Sequence, residues 1–274
     1  MNNSNIQSKS LDQVHDFWNK KSCGEIHAKG DTEFKKYKNE TKIRYELEPY
    51  LKDFAQFDSF KNLNVLEIGV GMGSDHSSIA MANPKNLWGV DLTQRSVDHT
   101  ISRFNLLGLK SNITLDNAEN LSFDSNKFDA VYSWGVLHHA TNTHKCFDEV
   151  YRVLKPGGIA KIMVYHKYSP TGLMLWLRHG LIKFKSMESV YSEYLESPET
   201  KAYTFKEARD LTSKFSNVEL KVQLGFGDLL EGDVGQRHQG IILSLAKMFY
   251  PRRVVKYLAK FLPFGLYLFI NVKK

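Results

Sequence analysis

Three glycines at alternating positions follow an apolar stretch in the first third of the chain. Residues 65–68 predict a buried strand, and Gly69, Gly71 and Gly73 come directly after it. Because glycine lacks a Cβ, such a turn can bend tightly and let a ligand approach the backbone. A second apolar segment ends at Asp91, an acid placed to accept hydrogen bonds from two ribose hydroxyls. This order of strand, glycine turn, helix and acid-ended strand predicts a site for an adenosine-containing cofactor.

The glycine spacing and one acid distinguish between adenosine cofactors. The dinucleotide fingerprint G-x-G-x-x-G needs a glycine at position 74, where this chain has Ser74. Glu67 precedes the turn, and a carboxylate there would repel a pyrophosphate and attract a cation. S-adenosylmethionine has no pyrophosphate and carries a cationic ammonium and a cationic sulfonium. The pattern therefore favours S-adenosylmethionine over a nicotinamide dinucleotide.

Further motifs follow the glycine turn in order. They are Asp116-Asn117-Ala118 after a third apolar segment, Trp134-Gly135 after a fourth, and Pro156-Gly157-Gly158 before a strand that ends at Tyr165. As a set, these motifs resemble the class I S-adenosylmethionine-dependent methyltransferases of small-molecule type, from about residue 63 to residue 166. The resemblance implies an α/β fold: a Rossmann-like, seven-stranded, mostly parallel sheet flanked by helices.

The resemblance also implies cofactor-binding positions. These are Glu67, Gly69, Gly71, Gly73, Asp91, Leu92, Asn117, Ala118 and Trp134. Asp91 would hold the ribose, Leu92 would lie against the adenine, and Trp134 would approach the methionine amino group. The family often has aspartate where this chain has Asn117, whose carbonyl oxygen can still accept a hydrogen bond from the adenine amine.

Candidate catalytic residues follow the fourth and fifth predicted strands. Methyl transfer from a sulfonium is an in-line displacement, so the protein mainly aligns the acceptor and excludes water. A base helps when the nucleophile is a hydroxyl or a carbon acid. His139 and Tyr165 end up at the ligand edge of the sheet, and we predict catalytic roles for both; packing roles for one of His138 and His139, and for Tyr165, stay open. No metal site is predicted.

The 274 residues fit one enlarged domain or a domain with a small lid. We expect an N-terminal helical lid over residues 1–60 and a methyltransferase domain over residues 61–274. Two insertions are expected in that domain, at about residues 168–200, after the fifth strand, and at about residues 225–262. The first would lie on the substrate side, because open α/β sheets bind ligands at the carboxyl ends of their strands.

The net charge of +7 comes from two basic segments. Residues 151–187 and 247–274 each contain seven Lys or Arg and no acid, and the rest of the chain carries a net charge of −7. Apolar side chains accompany the basic ones around Trp176 and over residues 252–262, which suits an anionic membrane surface, a lid over a greasy substrate or ordinary packing. No secretory signal or apolar run of bilayer length is visible, so a cytoplasmic location is expected, with peripheral membrane contact left open.

The sequence favours a methyltransferase that acts on a small-molecule acceptor, which the large lid would allow to be amphiphilic. A nucleic-acid methyltransferase is the alternative that the basic segments suggest. It is weakened because Ser133-Trp134-Gly135 differs from the signature of enzymes that methylate base amines. A non-catalytic, S-adenosylmethionine-binding partner subunit is a third reading. The helix that contains Phe17 and Trp18 could also form an oligomer interface in place of a lid.

Overall fold

The computed structural model describes residues 2–231, 248 and 250–274, with side chains from residue 11 onward. Seven strands form one sheet. They are β1 (Asn64–Ile68), β2 (Asn86–Asp91), β3 (Asn112–Leu115), β4 (Phe128–Trp134), β5 (Leu154–Tyr165), β6 (Asn217–Gln223) and β7 (Tyr267–Lys273). Their order in the sheet is β3-β2-β1-β4-β5-β7-β6.

Five neighbouring strands are parallel, and β7 is inserted antiparallel between β5 and β6. Parallel neighbours need crossover connections, which helices provide here. The helices are α1 (Asn2–Lys20), α2 (Glu33–Leu47), α3 (Leu51–Ala55), α4 (Ser74–Met81), α5 (Gln94–Leu107), α6 (Thr143–Val153), α7 (Pro170–His179), α8 (Met187–Val190), α9 (Phe205–Leu211) and α10 (Arg252–Leu258). The predicted Rossmann-like, seven-stranded fold is therefore confirmed.

The central strands are buried on both faces, which explains their nearly continuous apolar sequence. All of β4 except Asp129 is buried, and two apolar clusters cover the two sides of the sheet. Helix α6 shows how the sequence covers one side. Its buried residues Cys146, Phe147, Val150 and Val153 recur at helical spacing and pack into the cluster that contains β5.

The N-terminal helices are joined to the sheet domain by buried ion pairs. Arg103 of α5 donates to Glu40 of α2 at 2.5 Å, with both side chains nearly inaccessible to solvent. Arg44 of α2 donates to Asp75 in the first turn of α4 at 2.6 Å. A buried ion pair broken on one side leaves an uncompensated charge, so these contacts hold α2 firmly over the glycine turn.

The segment between β5 and α9 contains two short helices. Ser169 caps α7, and α8 continues into one wide turn at Tyr191–Leu195. Asp228 ties the start of α7 to the later chain, because its carboxylate accepts from Thr171 N at 3.0 Å and from Leu266 N at 2.6 Å. Part of the second predicted insertion, including Asp233, lies outside the described residues. The domain and lid boundaries stay predictions.

Two element boundaries have local causes. Strand β5 begins at Leu154, which pairs with Phe128 across an irregularity in the β4–β5 ladder. Helix α2 ends at Leu47, and α3 begins beyond Pro49. Proline lacks a backbone N–H and disfavours helix in the preceding residue, which explains the break between the two helices. In the described part of the chain, no helix is long and apolar enough to cross a membrane.

Candidate functional site

A cavity of about 250 Å³ lies at the carboxyl ends of the parallel strands, beneath α1 and α2. Eight of the nine predicted cofactor-binding residues line it. They are Glu67, Gly69, Gly71, Asp91, Leu92, Asn117, Ala118 and Trp134. Both predicted catalytic residues, His139 and Tyr165, line the same cavity. The fold therefore brings together residues that are up to 98 positions apart in the sequence.

The glycine turn shapes the floor of the cavity. Gly69, Gly71 and Gly73 have φ values of +85°, +51° and +77°, which side-chain-bearing residues rarely adopt. A Cβ on Gly69 would lie 2.1 Å from Val136 Cγ2, whereas one on Gly71 would meet no atom within 4 Å. Gly73 is not among the lining residues; its missing Cβ would face Thr100 of α5. Gly73 is thus placed to begin α4 and let it pack, and its role in cofactor binding stays a prediction.

Asp91 connects the turn to the end of β2. Its Oδ2 accepts from Gly71 N at 3.1 Å, and its Oδ1 accepts from Thr93 N at 3.0 Å and from Thr93 Oγ1 at 2.9 Å. Burial raises the pKa of Asp91, and these hydrogen bonds oppose the rise. A carboxylate oxygen has room for a second donor, so Oδ2 is suited to a ribose hydroxyl.

Glu67 belongs to a buried chain of hydrogen-bonded side chains beneath the glycine turn. It lies 2.8 Å from His76 Nδ1, and His76 Nε2 lies 2.8 Å from Ser111 Oγ, which donates to Leu87 O. Because the Ser111 hydroxyl donates its hydrogen to Leu87 O, its oxygen accepts the hydrogen bond from His76. Nε2 of His76 therefore carries the proton.

Burial acts on both ends of this hydrogen bond. It raises the pKa of Glu67 well above its usual range and lowers the pKa of His76 to about 3. Desolvation thus disfavours the charged form of each side chain. The role of Glu67 in cofactor binding stays a prediction.

Residues 116–118, which include the positions predicted to contact the adenine, form a turn. Asn117 Oδ1 accepts from Glu119 N at 2.9 Å, so the oxygen that we assigned to the adenine amine already has one partner. The neighbouring Asp116 also lines the cavity and accepts from Asn117 N and Ser122 N. The side chains of Asp116 and Asn117 stabilise this turn, and Ala118 also lines the cavity.

Beyond Trp134, the cavity wall is largely aromatic. The aromatic side chains there are Trp18, Trp134, Tyr165, Phe226 and Tyr267. Tyr165 and Tyr267 are stacked, with ring centroids 6.1 Å apart. This part of the cavity, which we call the acceptor half, differs from the glycine-rich floor and could hold an apolar body.

Arg44 and two buried acids lie at the α2 side of the acceptor half. Arg44 donates to Asp75 from Nε at 3.1 Å and from Nη2 at 2.6 Å, and its Nη1 lies 3.5 Å from Glu48 Oε2. The Tyr267 hydroxyl donates to Glu48 Oε1 at 2.7 Å. Burial raises the pKa of Glu48, and Arg44 opposes the rise. Arg44 is thus a side chain that faces the cavity and is paired with two acids.

His139, Tyr165 and Glu196 form a cluster at the opposite side. The Tyr165 hydroxyl donates to Glu196 Oε2 at 2.6 Å, and His139 Nε2 lies 3.5 Å from the same oxygen. His138 packs flat on Tyr165 at 4.0 Å between centroids, and burial lowers its pKa well below the usual range. His138 is therefore a neutral packing residue, which fits the expectation that one histidine of the pair is structural.

Sequence reasoning missed Glu196 and Glu48. Neither lies in a motif, and each reaches the cavity through an element outside the sheet. The available signal for Glu196 was its place in the insertion after β5, which open α/β sheets put on the ligand side. Glu48 had no such signal, since it directly follows α2 among many surface acids.

Comparison with known proteins agrees with this geometry. Residues 66–162 match the family described as methyltransferase domain. The chain is 30% identical over 119 residues to phosphoethanolamine N-methyltransferase 2 of Caenorhabditis elegans, covering 43% of this chain and 27% of that protein. It is 34% identical over 107 residues to sterol 24-C-methyltransferase erg-4 of Neurospora crassa, covering 38% and 28%. The matched part thus spans little more than a quarter of the length of these relatives.

Solved structures show the same fold. Phosphoethanolamine N-methyltransferase 2 of Haemonchus contortus in complex with S-adenosyl-L-methionine superposes with a TM-score of 0.57 at 20% identity, covering 84% of this chain and 52% of that one. The [4+2]-cyclase SpnF superposes with a TM-score of 0.51 at 15% identity, covering 98% and 94%. The fold is shared, and what it does depends on the site built on it.

The sheet order and the glycine turn agree with the match of residues 66–162 to a methyltransferase domain. These findings support the predicted resemblance to S-adenosylmethionine-dependent methyltransferases. In the same cavity, the aromatic acceptor half and the His139 cluster include residues from the N-terminal helices and from the segment after β5.

The charge of His76, beneath the glycine turn, can be measured by spectroscopy. Because the pKa of His76 is about 3, its ring should stay neutral between pH 5 and pH 8, with the proton on Nε2. Nitrogen-15 NMR of labelled histidine reports both the charge and the tautomer. A His76 titration with a midpoint above pH 5 would contradict this, because it would mean that His76 is a cation paired with an ionised Glu67.

Proposed function

We propose that this protein is an S-adenosylmethionine-dependent methyltransferase that moves a methyl group to a small-molecule acceptor by in-line displacement. One observation carries the proposal: a single cavity joins the glycine turn and Asp91 to an enclosed, aromatic half that contains a histidine, a tyrosine and a glutamate. The two halves suit a donor and an acceptor held in contact, with water excluded.

The floor of the cavity suits the cofactor. Asp91 is placed for the ribose, the open backbone at Gly71 leaves room for close approach, and Leu92 and Ala118 offer an apolar surface for the adenine. Trp134 and the buried Asp75 lie where the methionine end would be accommodated. Bound S-adenosylmethionine supplies an electrophilic methyl group on a sulfonium that is already a good leaving group.

His139 is the best-placed proton acceptor. Thr200 Oγ1 donates to Ser197 O at 2.7 Å and Ser197 Oγ donates to Pro198 O, so these hydroxyls accept from His139 Nδ1 at 3.1 and 2.8 Å. With the proton on Nδ1, Nε2 has a free lone pair, and this nitrogen is buried without a hydrogen-bond partner. Tyr165 orients Glu196, which can stabilise the charged ring once His139 has taken a proton.

The alternatives fit the cavity less well. A nucleic-acid base would have to pass α1 and α2, and the buried pairs Arg103–Glu40 and Arg44–Asp75 fix α2 over the site. A non-catalytic partner subunit would not need a histidine with a free nitrogen beside a glutamate in the acceptor half.

Activity can be tested with methyl-labelled S-adenosylmethionine and host-cell extract. We expect label in small molecules, and a loss of at least tenfold in Asp91→Ala, since a hydrogen bond to a charged group is worth about 1.5–3 kcal/mol. Asp53→Ala, an exposed acid on α3, is the matched control and should keep full activity. Label confined to macromolecules would favour the nucleic-acid alternative, and no transfer at all would favour the binding subunit.

We also propose that the insertion after β5 contacts an anionic membrane surface. Ile182 and Phe184, just after α7, are 85% and 96% exposed, and Lys183 lies between them. Helix α10 and the residues after it expose Val254, Tyr257, Leu258, Phe261 and Leu262, at helical spacing. Arg252 donates to Leu229 O at 2.8 Å, and the adjacent Asp228 accepts from Thr171 N, so the start of α10 lies near the start of α7. Apolar side chains interspersed with cations are the composition that interfacial helices use.

Membrane contact can be measured by sedimentation with anionic vesicles at low salt. The double variant Ile182→Ser/Phe184→Ser should bind at least tenfold more weakly, because burying each side chain contributes about 1.5–3 kcal/mol. Phe34→Ser, which changes an exposed phenylalanine of α2, is the control. Equal binding by all three proteins, or none by any of them, would rule the contact out.

A further inference from the structure

Strand β6 is an open edge of the sheet. It lies at the end of the strand order beside β7, and in the part of the chain that the structure describes no strand pairs with its outer side. An unpaired edge presents a row of backbone N–H and C=O groups that can pair with a further strand. The register with β7 runs without interruption from Asn217 to Gln223, so β6 offers seven residues of regular backbone for pairing.

Strand β6 lacks most of the features that protect edge strands from pairing. Such strands are commonly kept short, interrupted by a bulge, or given a proline or several like charges. Strand β3, at the other end of the sheet, is four residues long. Strand β6 is longer, has neither a bulge nor a proline, and carries one acidic and one basic side chain. Its charges therefore do not repel a second strand of the same sequence.

The side chains of β6 alternate between the two faces of the sheet. Those on one face are apolar and half-buried against the cluster that contains β5: they are Val218, Leu220 and Val222. Glu219 and Lys221 are exposed on the other face, where their neighbours on β7 are the uncharged Asn271 and Phe269. Over the described ranges, neither the Glu219 carboxylate nor the Lys221 ammonium has an ion pair or a hydrogen bond. Both charges are therefore available to a partner.

The sequence of β6 is complementary to itself when a second copy runs antiparallel to it. If Leu220 lies opposite Leu220 of the second copy, Glu219 lies opposite Lys221, and Val218 lies opposite Val222. The two-fold axis repeats each of these pairs. Directly opposite side chains of unlike charge stabilise an antiparallel pair, and so do apolar pairs on the same face.

The same side chains disfavour the neighbouring registers. Sliding the second copy by two residues places either Glu219 or Lys221 opposite its own symmetry mate, and like charges directly opposite each other are destabilising. Sliding it by one residue brings the apolar face of one strand level with the polar face of the other. The alternation and the two charges together specify one register.

We propose that two copies of this chain associate through β6, antiparallel about a two-fold axis at Leu220, so that their sheets join into one continuous sheet. Backbone hydrogen bonds, two Glu219–Lys221 pairs and the apolar row on the other face hold the second copy. The same patch is used on both copies, as in other two-fold dimers. In the described ranges, no residue of β6 lines the cavity, so the association stands apart from the proposed methyl transfer.

Sedimentation equilibrium of the full chain tests the association. We expect a mass that rises with concentration toward twice the 31.5 kDa of one chain. Amide hydrogen exchange over residues 217–223 should slow as the protein concentration rises, because the outer amides of an edge strand gain partners only in the dimer. The mass of a single chain at every concentration measured would overturn the proposal, as would a dimer in which these amides exchange as they do in the monomer.

Charge reversal tests the register. Lys221→Glu places four acids at the interface and Glu219→Lys places four bases there, so each variant should raise the dissociation constant at least tenfold. An equimolar mixture of the two variants should regain the dimer, because the acids of one then face the bases of the other. The double variant Glu219→Lys/Lys221→Glu should dimerise as the wild-type protein does. Recovery in the mixture also shows that both single variants are folded.

Lys110→Glu is the matched control. Lys110 is an exposed lysine just before β3, at the opposite edge of the sheet, and reversing its charge should leave the dimer unchanged. The proposal is overturned if both single variants of β6 dimerise as the wild-type protein does, which would assign the contact to another surface such as α1. It is equally overturned if neither the mixture nor the double variant regains the dimer that the single variants lose.

Discussion

The close approach of Gly69 to Val136 is the constraint on which the site depends. A side chain at Gly69 would collide with the loop after β4, so only glycine lets the end of β1 and the end of β4 lie side by side. That closeness sets the direction of the turn, leaves Gly71 open to the cavity, and places its N–H on the Asp91 carboxylate. The cofactor floor and the entry to the acceptor half therefore follow from one backbone contact.

Ion pairs then fix helix α2 over the glycine turn. Helix α2 is held by Arg103–Glu40 and Arg44–Asp75, and one hydrogen bond from Tyr132 adds β4 to the same carboxylate at 2.9 Å. Desolvated charges are tolerated only when they are paired, so these contacts specify one position for the helix. The same pairing occupies the Arg44 guanidinium. Glu40, Arg44 and Asp75 thus hold α2 in place and also line the cavity.

The sequence predicted the parts of the molecule that depend on local rules. Glycine spacing and alternating apolar segments located the turn, the order of the strands and the position of Asp91, and the strand-end rule brought His139 and Tyr165 to the cavity. It could not predict the raised pKa of Glu67, because that depends on burial, nor the pairing of Arg44, because its partner is 31 residues away in another element. The place of Glu196 in the cavity was missed for the same reason. Its position comes from the packing of the segment after β5, which no local sequence pattern encodes.

The central claim is that the open backbone at Gly71 is the floor of the S-adenosylmethionine site. Gly71 and Gly108 both have positive φ, +51° and +64°, and neither has an atom within 4 Å of an added Cβ; only Gly71 lines the cavity. Alanine at either position costs similar backbone strain, so calorimetric titration of S-adenosylhomocysteine into the two variants isolates the ligand contact. The account predicts at least tenfold weaker binding by Gly71→Ala and wild-type binding by Gly108→Ala. Equal affinities in the two variants would contradict it.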